Sequence, residues 1–241
     1  MQWTDARSDE LDEHAKSRRI VILPIGSTEQ HGPHLPVGTD TILCTAIAER
    51  AAAKLPEPPL VLPPIWISLA EHHMPFAGSL TLTQSGLAAI IGGVVESVAR
   101  QGFGTVVLLN GHGGNMAALP GIADTLTRQL GIVVTTGTYW MFAQDVFADI
   151  LDHQPNLRHA CEAETSMMLA LRPDLVNLAR AKNIDAPADF PDGRSALHQW
   201  RTFKDITPSG VVGVLDAVSA TKGEALIEAA AEALIRAMAD L

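Results

Sequence analysis

The sequence predicts an α/β fold in which helices cover both faces of a parallel sheet. Short apolar runs alternate with Ala-rich stretches of helical length along the 241 residues, the order typical of βαβ units. The run at residues 104–109 is apolar at successive positions, as in a strand that is buried on both faces. Because 47% of the residues are hydrophobic and 18% are charged, the chain can build a large core.

Four strands and five helices follow from the same patterns, in chain order. Strands are predicted over residues 19–25, 60–67, 104–109 and 131–138, and helices over residues 41–55, 83–101, 115–130 and 223–241; a fifth helical stretch is indicated by the spacing of apolar residues within the segment 159–171. Prolines interrupt the second strand, whereas glycines end the second helix and Gly131 is expected to cap the third. Residues 186–213, which are rich in Pro, Asp and Gly and carry His198 and Trp200, are interpreted as an irregular excursion within one domain of residues 1–241. This excursion would form a rim of the site or a subunit contact.

Composition excludes several classes of protein. The net charge is −10 and the chain has no Lys/Arg run, so a nucleic-acid partner is not expected. Neither a signal peptide nor a charge-free apolar run of about 18 residues is found, and no membrane association is expected. Cys44 and Cys161 lie too far apart in sequence to suggest a disulfide framework, which favours a cytoplasmic location with both thiols reduced.

Three segments carry side chains suited to chemistry, and the first follows the first strand. Glu29 and His31 are two residues apart, so they point the same way in an extended segment. A loop rich in Gly and Pro can then return Asp40 toward them. Two alternatives stay open: Thr39 or Asp40 only caps the next helix, or the loop is polar without a function.

The second segment (residues 109–115) and the third (residues 159–171) offer further candidates. His112 follows a predicted strand, and its neighbours Gly113 and Gly114 allow close approach of the backbone; a phosphate-binding loop is disfavoured because the glycine spacing does not fit. Glu164 lies close to apolar residues, where a carboxylate is costly unless it is paired or binds a cation. For Glu162, the sequence is equally compatible with a functional role and with a simple favourable interaction with the helix dipole.

Together these candidates form a set of three carboxylates and two imidazoles without a thiolate. Such ligands suit Zn, Mn or Fe, and three carboxylates, two divalent cations and one bridging hydroxide sum to zero charge. Two metals that share a carboxylate would activate the water between them and polarise a carbonyl group. His159 is the best candidate for an acid near the leaving nitrogen of an amide.

Five motifs in the same order resemble the creatininase family. They are residues 26–34 (GSTEQHGPH), 38–40 (GTD), 78–81 (GSLT), 110–115 (NGHGGN) and 164–169 (ETSMML). The resemblance implies a three-layer α/β/α sandwich with a mostly parallel central sheet. It also implies hydrolysis of carbon–nitrogen bonds at a dinuclear metal site, and assembly as a homohexamer.

The resemblance also implies roles for particular residues. Glu29, Asp40 and His112 would hold one divalent ion, while His31, Asp40 and Glu164 would hold a second, with Asp40 bridging the two. His159 would take the catalytic histidine position, and Glu164 would serve both the metal and the chemistry. The residues expected to contact substrate are Trp140, Gly113, Gly114 and His73, the last because the turn at residues 75–78 could place it in the pocket. His34 and His72 are compatible with hydrogen bonding to a ligand or with substrate contact, and His72 equally with a simple surface role.

Departures from the family pattern make creatinine an unexpected substrate. Creatininase itself carries a carboxylate where this chain has Gly114, and a tryptophan where Pro155 and Asn156 stand. Cys161 replaces a residue that is usually glycine. The sequence therefore predicts a metal-dependent amidohydrolase of a small-molecule amide, lactam or formamide. A hydrolase of a cyclic ketone or lactone, or a non-catalytic binding protein on the same scaffold, are the alternatives.

Overall fold

The computed structural model describes residues 1–190 and 199–241 and contains a four-stranded parallel sheet. The strands are Val21–Ile25 (β1), Leu60–Val61 (β2), Thr105–Asn110 (β3) and Val133–Thr138 (β4), in the order β2-β1-β3-β4. Each neighbouring pair is parallel. The predicted parallel α/β fold is therefore confirmed.

Helices cover both faces of this sheet. They are Ser8–Lys16 (α1), Thr39–Ala53 (α2), Gln84–Arg100 (α3), Leu119–Leu130 (α4), Tyr139–Phe142 (α5), Gln144–Ile150 (α6), Glu162–Leu171 (α7) and Ala220–Met238 (α8). Ile22 packs in a core with residues of α2, α7 and α8. The next residue, Leu23, packs in a second core with residues of α3 and α4. Since successive strand residues point to opposite faces, the three-layer α/β/α architecture is confirmed.

The register of β1 against β3 brings their carboxyl ends together. Ile25 pairs with Asn110 at the end of the ladder, and the Gly111 N–H donates a hydrogen bond to the Ile25 carbonyl at 2.8 Å. The loops that follow the two strands therefore start side by side. In an open parallel sheet this is the edge at which ligands bind.

The structure differs from the sequence prediction in several elements. The strand predicted over residues 60–67 pairs continuously only at Leu60–Val61, because prolines at positions 63 and 64 cannot donate to the ladder; Ile65 makes an isolated bridge to Ile25. The helix predicted over residues 115–130 begins at Leu119, after the 3₁₀ turn Gly113–Asn115. It ends at Gly131, as predicted, with the glycine in the left-handed conformation. Helices α1, α5 and α6 were not predicted.

The excursion predicted over residues 186–213 is largely irregular where the structure describes it. It contains one 3₁₀ turn, Phe203–Asp205, whereas residues 191–198, including His198, lie outside the described residues.

Both cysteines are buried free thiols. Within the described part of the chain, no helix is long and apolar enough to cross a membrane.

Helices α7 and α8 approach each other closely at Gly223. A Cβ atom added there would lie 1.9 Å from the Ser166 carbonyl oxygen, which belongs to the backbone of α7. Ser166 Oγ also accepts a hydrogen bond from the Ser219 backbone N–H at 3.2 Å, just before α8 begins. The contact therefore fixes the position of α7, which carries Glu164.

We predict that Gly223→Ala destabilises the protein by about 1–3 kcal/mol, because the backbone of α7 must move away from the new methyl group. Gly93→Ala is the matched control: it lies inside α3 with open space around it, and there alanine is expected to stabilise the helix by about 0.5–1 kcal/mol. Urea unfolding of both variants measures the difference. Equal midpoints for the two variants would contradict the close approach.

Candidate metal centre

The carboxyl edge of the sheet gathers five buried metal-ligand candidates into one cluster. Glu29 and His31 come from the loop after β1, His112 from the loop after β3, and Asp40 and Glu164 from the first turns of α2 and α7. Each is at most 3% exposed. The structure thus brings together all five residues that the sequence analysis singled out as metal ligands.

One group of potential ligands consists of Glu29, Asp40 and His112. His112 Nδ1 lies 3.0 Å from Glu29 Oε2 and 3.1 Å from Asp40 Oδ2. One ligand atom from each of the three residues lies within 4.8 Å of the others. A single cation could therefore contact all three side chains.

A second group consists of His31, Asp40 and Glu164. His31 Nε2 lies 3.0 Å from Asp40 Oδ1 and 3.7 Å from Glu164 Oε1, and these ligand atoms also fall within 4.8 Å of one another. The two oxygens of Asp40 thus face different groups.

Helix α2 begins at Thr39 and no side chain caps it, so the alternative of Asp40 as a helix cap is wrong.

Three buried atoms of the cluster make no hydrogen bond among the described residues, although each lies 3.0–3.1 Å from an opposing ligand atom. They are Glu29 Oε2, His31 Nε2 and Asp40 Oδ2. Burying such polar atoms without a partner is costly, and a divalent cation would satisfy them. The residues present therefore fit a metal centre with nitrogen and oxygen ligands, the chemistry of Zn, Mn or Fe sites.

Backbone carbonyls orient the two ligand imidazoles. His31 Nδ1 lies 3.2 Å from the Glu29 carbonyl, and His112 Nε2 lies 3.0 Å from the Leu69 carbonyl. A carbonyl only accepts, so in the neutral rings these nitrogens carry the proton. The opposite nitrogens, which point into the cluster, are left free to bind a cation.

Burial and charge together perturb the pKa values of the cluster. Burial raises the pKa of Glu29 and of Glu164. Burial also opposes ionisation of Asp40, but the charge of His31 and contact with both imidazoles outweigh it and lower the Asp40 pKa. Burial similarly opposes protonation of His112, yet the charge of Glu29 raises the His112 pKa to about 10. Three buried carboxylates are thus destabilising without nearby positive charge, which bound cations would supply.

His159 lies at the edge of the cluster, just before α7. Its Nδ1 is 3.7 Å from Glu29 Oε1, and it forms a third overlapping group of potential ligands with Glu29 and His31. Burial lowers the His159 pKa well below its usual value, which favours the neutral imidazole. In this neutral form one ring nitrogen carries no proton, as a general base requires.

Glu162 and His34 point away from the cluster. Glu162 is fully buried and pairs with Lys222 Nζ, and it also accepts the Asp152 backbone N–H at 3.2 Å. His34 Nε2 contacts Thr165 Oγ1 at 2.9 Å. These contacts give both residues a role in holding the first turns of α7 in place.

A cavity of about 800 Å³ opens onto the cluster. Its walls include three residues predicted to contact substrate: Trp140 at the start of α5, Gly113 and Gly114. His73, the fourth, also lines the cavity, but its Nε2 lies 3.2 Å from Glu29 Oε1 and its Nδ1 lies 3.0 Å from Gln30 Nε2. Both nitrogens of His73 are therefore engaged by the protein.

Several residues of the excursion also line the cavity, as expected for a rim of the site, and of these only Trp200 was named from the sequence. They are Phe190, Trp200, Arg201, Phe203 and Ile206. Phe203 stacks on His73 with ring centroids 4.2 Å apart, and its edge meets His159 at 4.6 Å. The clustering of aromatic residues in an otherwise Pro- and Gly-rich stretch was the available signal.

Gly114 leaves no room for a side chain. A Cβ atom there would lie 2.3 Å from the Leu69 carbonyl oxygen and 2.4 Å from His112 Nε2, which are the two atoms of the contact that orients His112. A carboxylate at this position is therefore excluded from the present backbone arrangement. Glu164 is the third carboxylate of the cluster instead.

The fold and cluster define an α/β protein with candidate metal-binding groups at the carboxyl edge of a parallel sheet. The chain belongs to the creatininase family of hydrolases, since the family model described as creatinine amidohydrolase matches residues 4–238. It is 30% identical to the creatinine amidohydrolase of Pseudomonas putida over 237 residues, which cover 91% of this chain and 88% of that protein. At 30% identity the chain is a relative of creatininase, not creatininase itself, as predicted from the sequence.

Two further relatives carry different names. The chain is 28% identical to a 3-dehydro-scyllo-inosose hydrolase of Thermotoga maritima, over 96% of this chain and 80% of that protein. It is 29% identical to a mycofactocin precursor peptide peptidase of Mycobacterium tuberculosis, over 91% of this chain and 84% of that protein. These three relatives are thus named for hydrolysis of different substrates.

Solved creatininase structures share the fold over nearly the whole chain. A point mutant of creatininase superposes with a TM-score of 0.87 at 26% identity, covering 99% of this chain and 98% of the other. A second mutant, described as the Zn-Zn type, gives a TM-score of 0.85 at 25% identity, with 99% and 97% coverage. Both matches agree with the three-layer architecture.

We predict that Gly114→Ala lowers the affinity for zinc at least about tenfold, because the new methyl group displaces His112 from its contact with Leu69. Gly113→Ala is the control, since a Cβ atom there meets nothing within 4 Å. Calorimetric titration of both variants with Zn²⁺ compares the affinities. Wild-type affinity in Gly114→Ala would show that the loop shifts without moving the ligand.

Proposed function

We propose that this protein hydrolyses a carbon–nitrogen bond (an amide, lactam or formamide) of a small molecule, using two divalent metal ions. The observation that carries this proposal is the pair of ligand groups that share Asp40 at the base of a cavity of about 800 Å³. A cavity of this size suits a small organic ligand. Zn, Mn and Fe are the candidate metals.

Each residue of the site has a place in such a reaction. Glu29, Asp40 and His112 would hold one ion, and His31, Asp40 and Glu164 the other. The ions, when bound, would activate a water molecule as the nucleophile and polarise the scissile carbonyl. His159 would accept the proton of the attacking water at Nδ1 and deliver it to the leaving nitrogen.

The walls of the cavity favour a substrate larger and less polar than creatinine. Aromatic surface comes from Phe190, Trp200 and Phe203 on the side of the excursion. Trp140, in α5, adds a further aromatic ring to the cavity wall. Trp200 is 57% exposed, so a substrate could cover it on binding. The peptidase relative from Mycobacterium tuberculosis supports an amide bond in a molecule larger than a single small ring.

A second candidate function is hydrolysis of a non-amide bond, in a cyclic ketone or a lactone. The inosose hydrolase relative from Thermotoga maritima favours it, and the same ions would polarise any carbonyl group. Parallel screening of lactams, formamides, lactones and cyclic ketones on the metal-loaded protein separates the two candidates. The homohexamer and the cytoplasmic location expected from the sequence stay predictions.

Asp40→Asn tests the metal centre. Purified wild type supplied with Zn, Mn or Fe is expected to hold about two ions per chain, whereas the variant should lose most of both, because Asp40 contributes to both ligand groups. Glu71→Gln is the control, since Glu71 lines the same cavity outside those groups. Metal analysis by mass spectrometry gives the result. A wild type that takes up none of these metals would refute the proposed mechanism.

His159→Asn tests the proton transfer. This variant should keep both ions but lose roughly 10²–10⁴-fold in kcat on whichever substrate the screen identifies, since His159 handles the proton while Asp40 holds the metals. Single-turnover kinetics and metal analysis on the same sample measure the two effects. An unchanged kcat would remove His159 from the catalytic role.

A further inference from the structure

Gln30 is a buried amide at the point where three parts of the site meet. Its Nε2 atom lies 3.0 Å from His73 Nδ1, 3.0 Å from His159 Nε2 and 3.1 Å from the Gly210 carbonyl. Only 5% of the residue is exposed. It therefore connects the loop after β1 with the 3₁₀ turn Glu71–His73, the loop before α7 and the end of the excursion.

The orientation of the Gln30 amide is determined by its other end. Gln30 Oε1 accepts the Gly32 backbone N–H at 3.0 Å. If the amide were reversed, its NH₂ group would face another N–H donor, and the Gly210 carbonyl would face an oxygen. The NH₂ group must therefore be the end that points toward the two histidines.

The hydrogen count then assigns the protons on both imidazoles. The NH₂ group has two hydrogens and three neighbours, of which the Gly210 carbonyl can only accept, so one hydrogen remains for a single histidine. His159 Nε2 also lies 2.9 Å from the Gln30 carbonyl oxygen, another group that can only accept. His159 therefore carries its proton on Nε2 and donates it to this carbonyl.

His73 takes the remaining hydrogen of the amide. Its Nδ1 accepts from Gln30, which places the ring proton on Nε2. Nε2 in turn donates to Glu29 Oε1 at 3.2 Å. This leaves Glu29 Oε2, the atom without a hydrogen-bond partner among the described residues, to face the cluster.

We propose that Gln30 is a positioning residue that fixes the tautomers of His73 and His159, so that His159 presents a bare Nδ1 toward Glu29 and the cluster and His73 donates to Glu29. This assignment rests on hydrogen-bond geometry alone. Its consequence for catalysis rests on the proposed function: a bare Nδ1 can accept the proton of the attacking water, whereas a protonated one cannot.

The excursion is shaped to hold this amide. Gly210 has a φ angle of +78°, and a Cβ atom there would lie 1.9 Å from Gln30 Oε1. The backbone of the excursion thus packs directly on Gln30 while its carbonyl accepts one of the amide hydrogens. The same segment contributes Phe203, which stacks on His73, so Gln30 also links cavity wall and cluster.

Long-range ¹H–¹⁵N spectra of the histidine rings test the proposal on full-length, zinc-loaded protein. In the wild type, His73 and His159 should both appear as neutral rings protonated at Nε2, with signals assigned through His73→Asn and His159→Asn. A proton on Nδ1 of either ring would overturn the proposal. This measurement needs no substrate and no Gln30 variant.

Gln30→Met then tests the cause. The Nδ1 signal of His73 should move to the position of a nitrogen that accepts no hydrogen bond, because the thioether cannot donate. The control is Gln154→Met, which removes another buried amide whose partners are the Asn156 carbonyl and the Val214 N–H and should leave both rings unchanged. An unmoved His73 signal in Gln30→Met would overturn the role of Gln30.

Kinetics and metal analysis separate this proposal from the proposed function. With an active substrate, Gln30→Met should lower kcat about 10–100-fold with KM nearly unchanged, at wild-type zinc content. A higher KM with an unchanged kcat would indicate that Gln30 contacts the substrate, and it would overturn the positioning role. If no substrate is turned over or no zinc binds, the proposed function fails, while the tautomers of the wild-type rings still decide the present proposal.

Discussion

The burial of three carboxylates beside two imidazoles is the constraint on which the site depends. Glu29, Asp40 and Glu164 are each at most 3% exposed, and unbalanced charges in such surroundings are strongly destabilising. Cations between these ligands would remove the imbalance. The fold must therefore hold five side chains from four segments within a few ångströms, and its other features can be understood from that requirement.

The parallel sheet and the two flanking helices meet the requirement. Because β1 and β3 end in register, the loops that carry Glu29 and His112 start together at one edge of the sheet. Helices α2 and α7 then direct Asp40 and Glu164 from their first turns toward the same point. The close contact of α7 with α8 at Gly223 fixes one of these turns, so the packing of these two helices supports the site.

A layer of hydrogen bonds then orients the ligands. The carbonyls of Glu29 and Leu69 orient His31 and His112, and His73 engages the outer oxygen of Glu29. Such contacts determine which nitrogen or oxygen faces the cluster, and losing one typically costs about 10–100-fold in metal affinity or activity. Gln30 belongs to this layer, and it also joins the layer to the excursion that forms the cavity wall.

The sequence by itself determined the parallel α/β fold, because unbroken apolar runs and Ala-rich stretches alternate, and it singled out the five ligand candidates through their motifs. The prolines within residues 60–67 indicated an interruption, but not that continuous pairing stops at Val61 and resumes as a single bridge at Ile65. Nor could the sequence reveal that Gly114 has no room for a side chain, that both nitrogens of His73 are engaged, or that Gln30 contacts two histidines. Those facts depend on contacts between residues up to 129 positions apart, which only the tertiary structure decides.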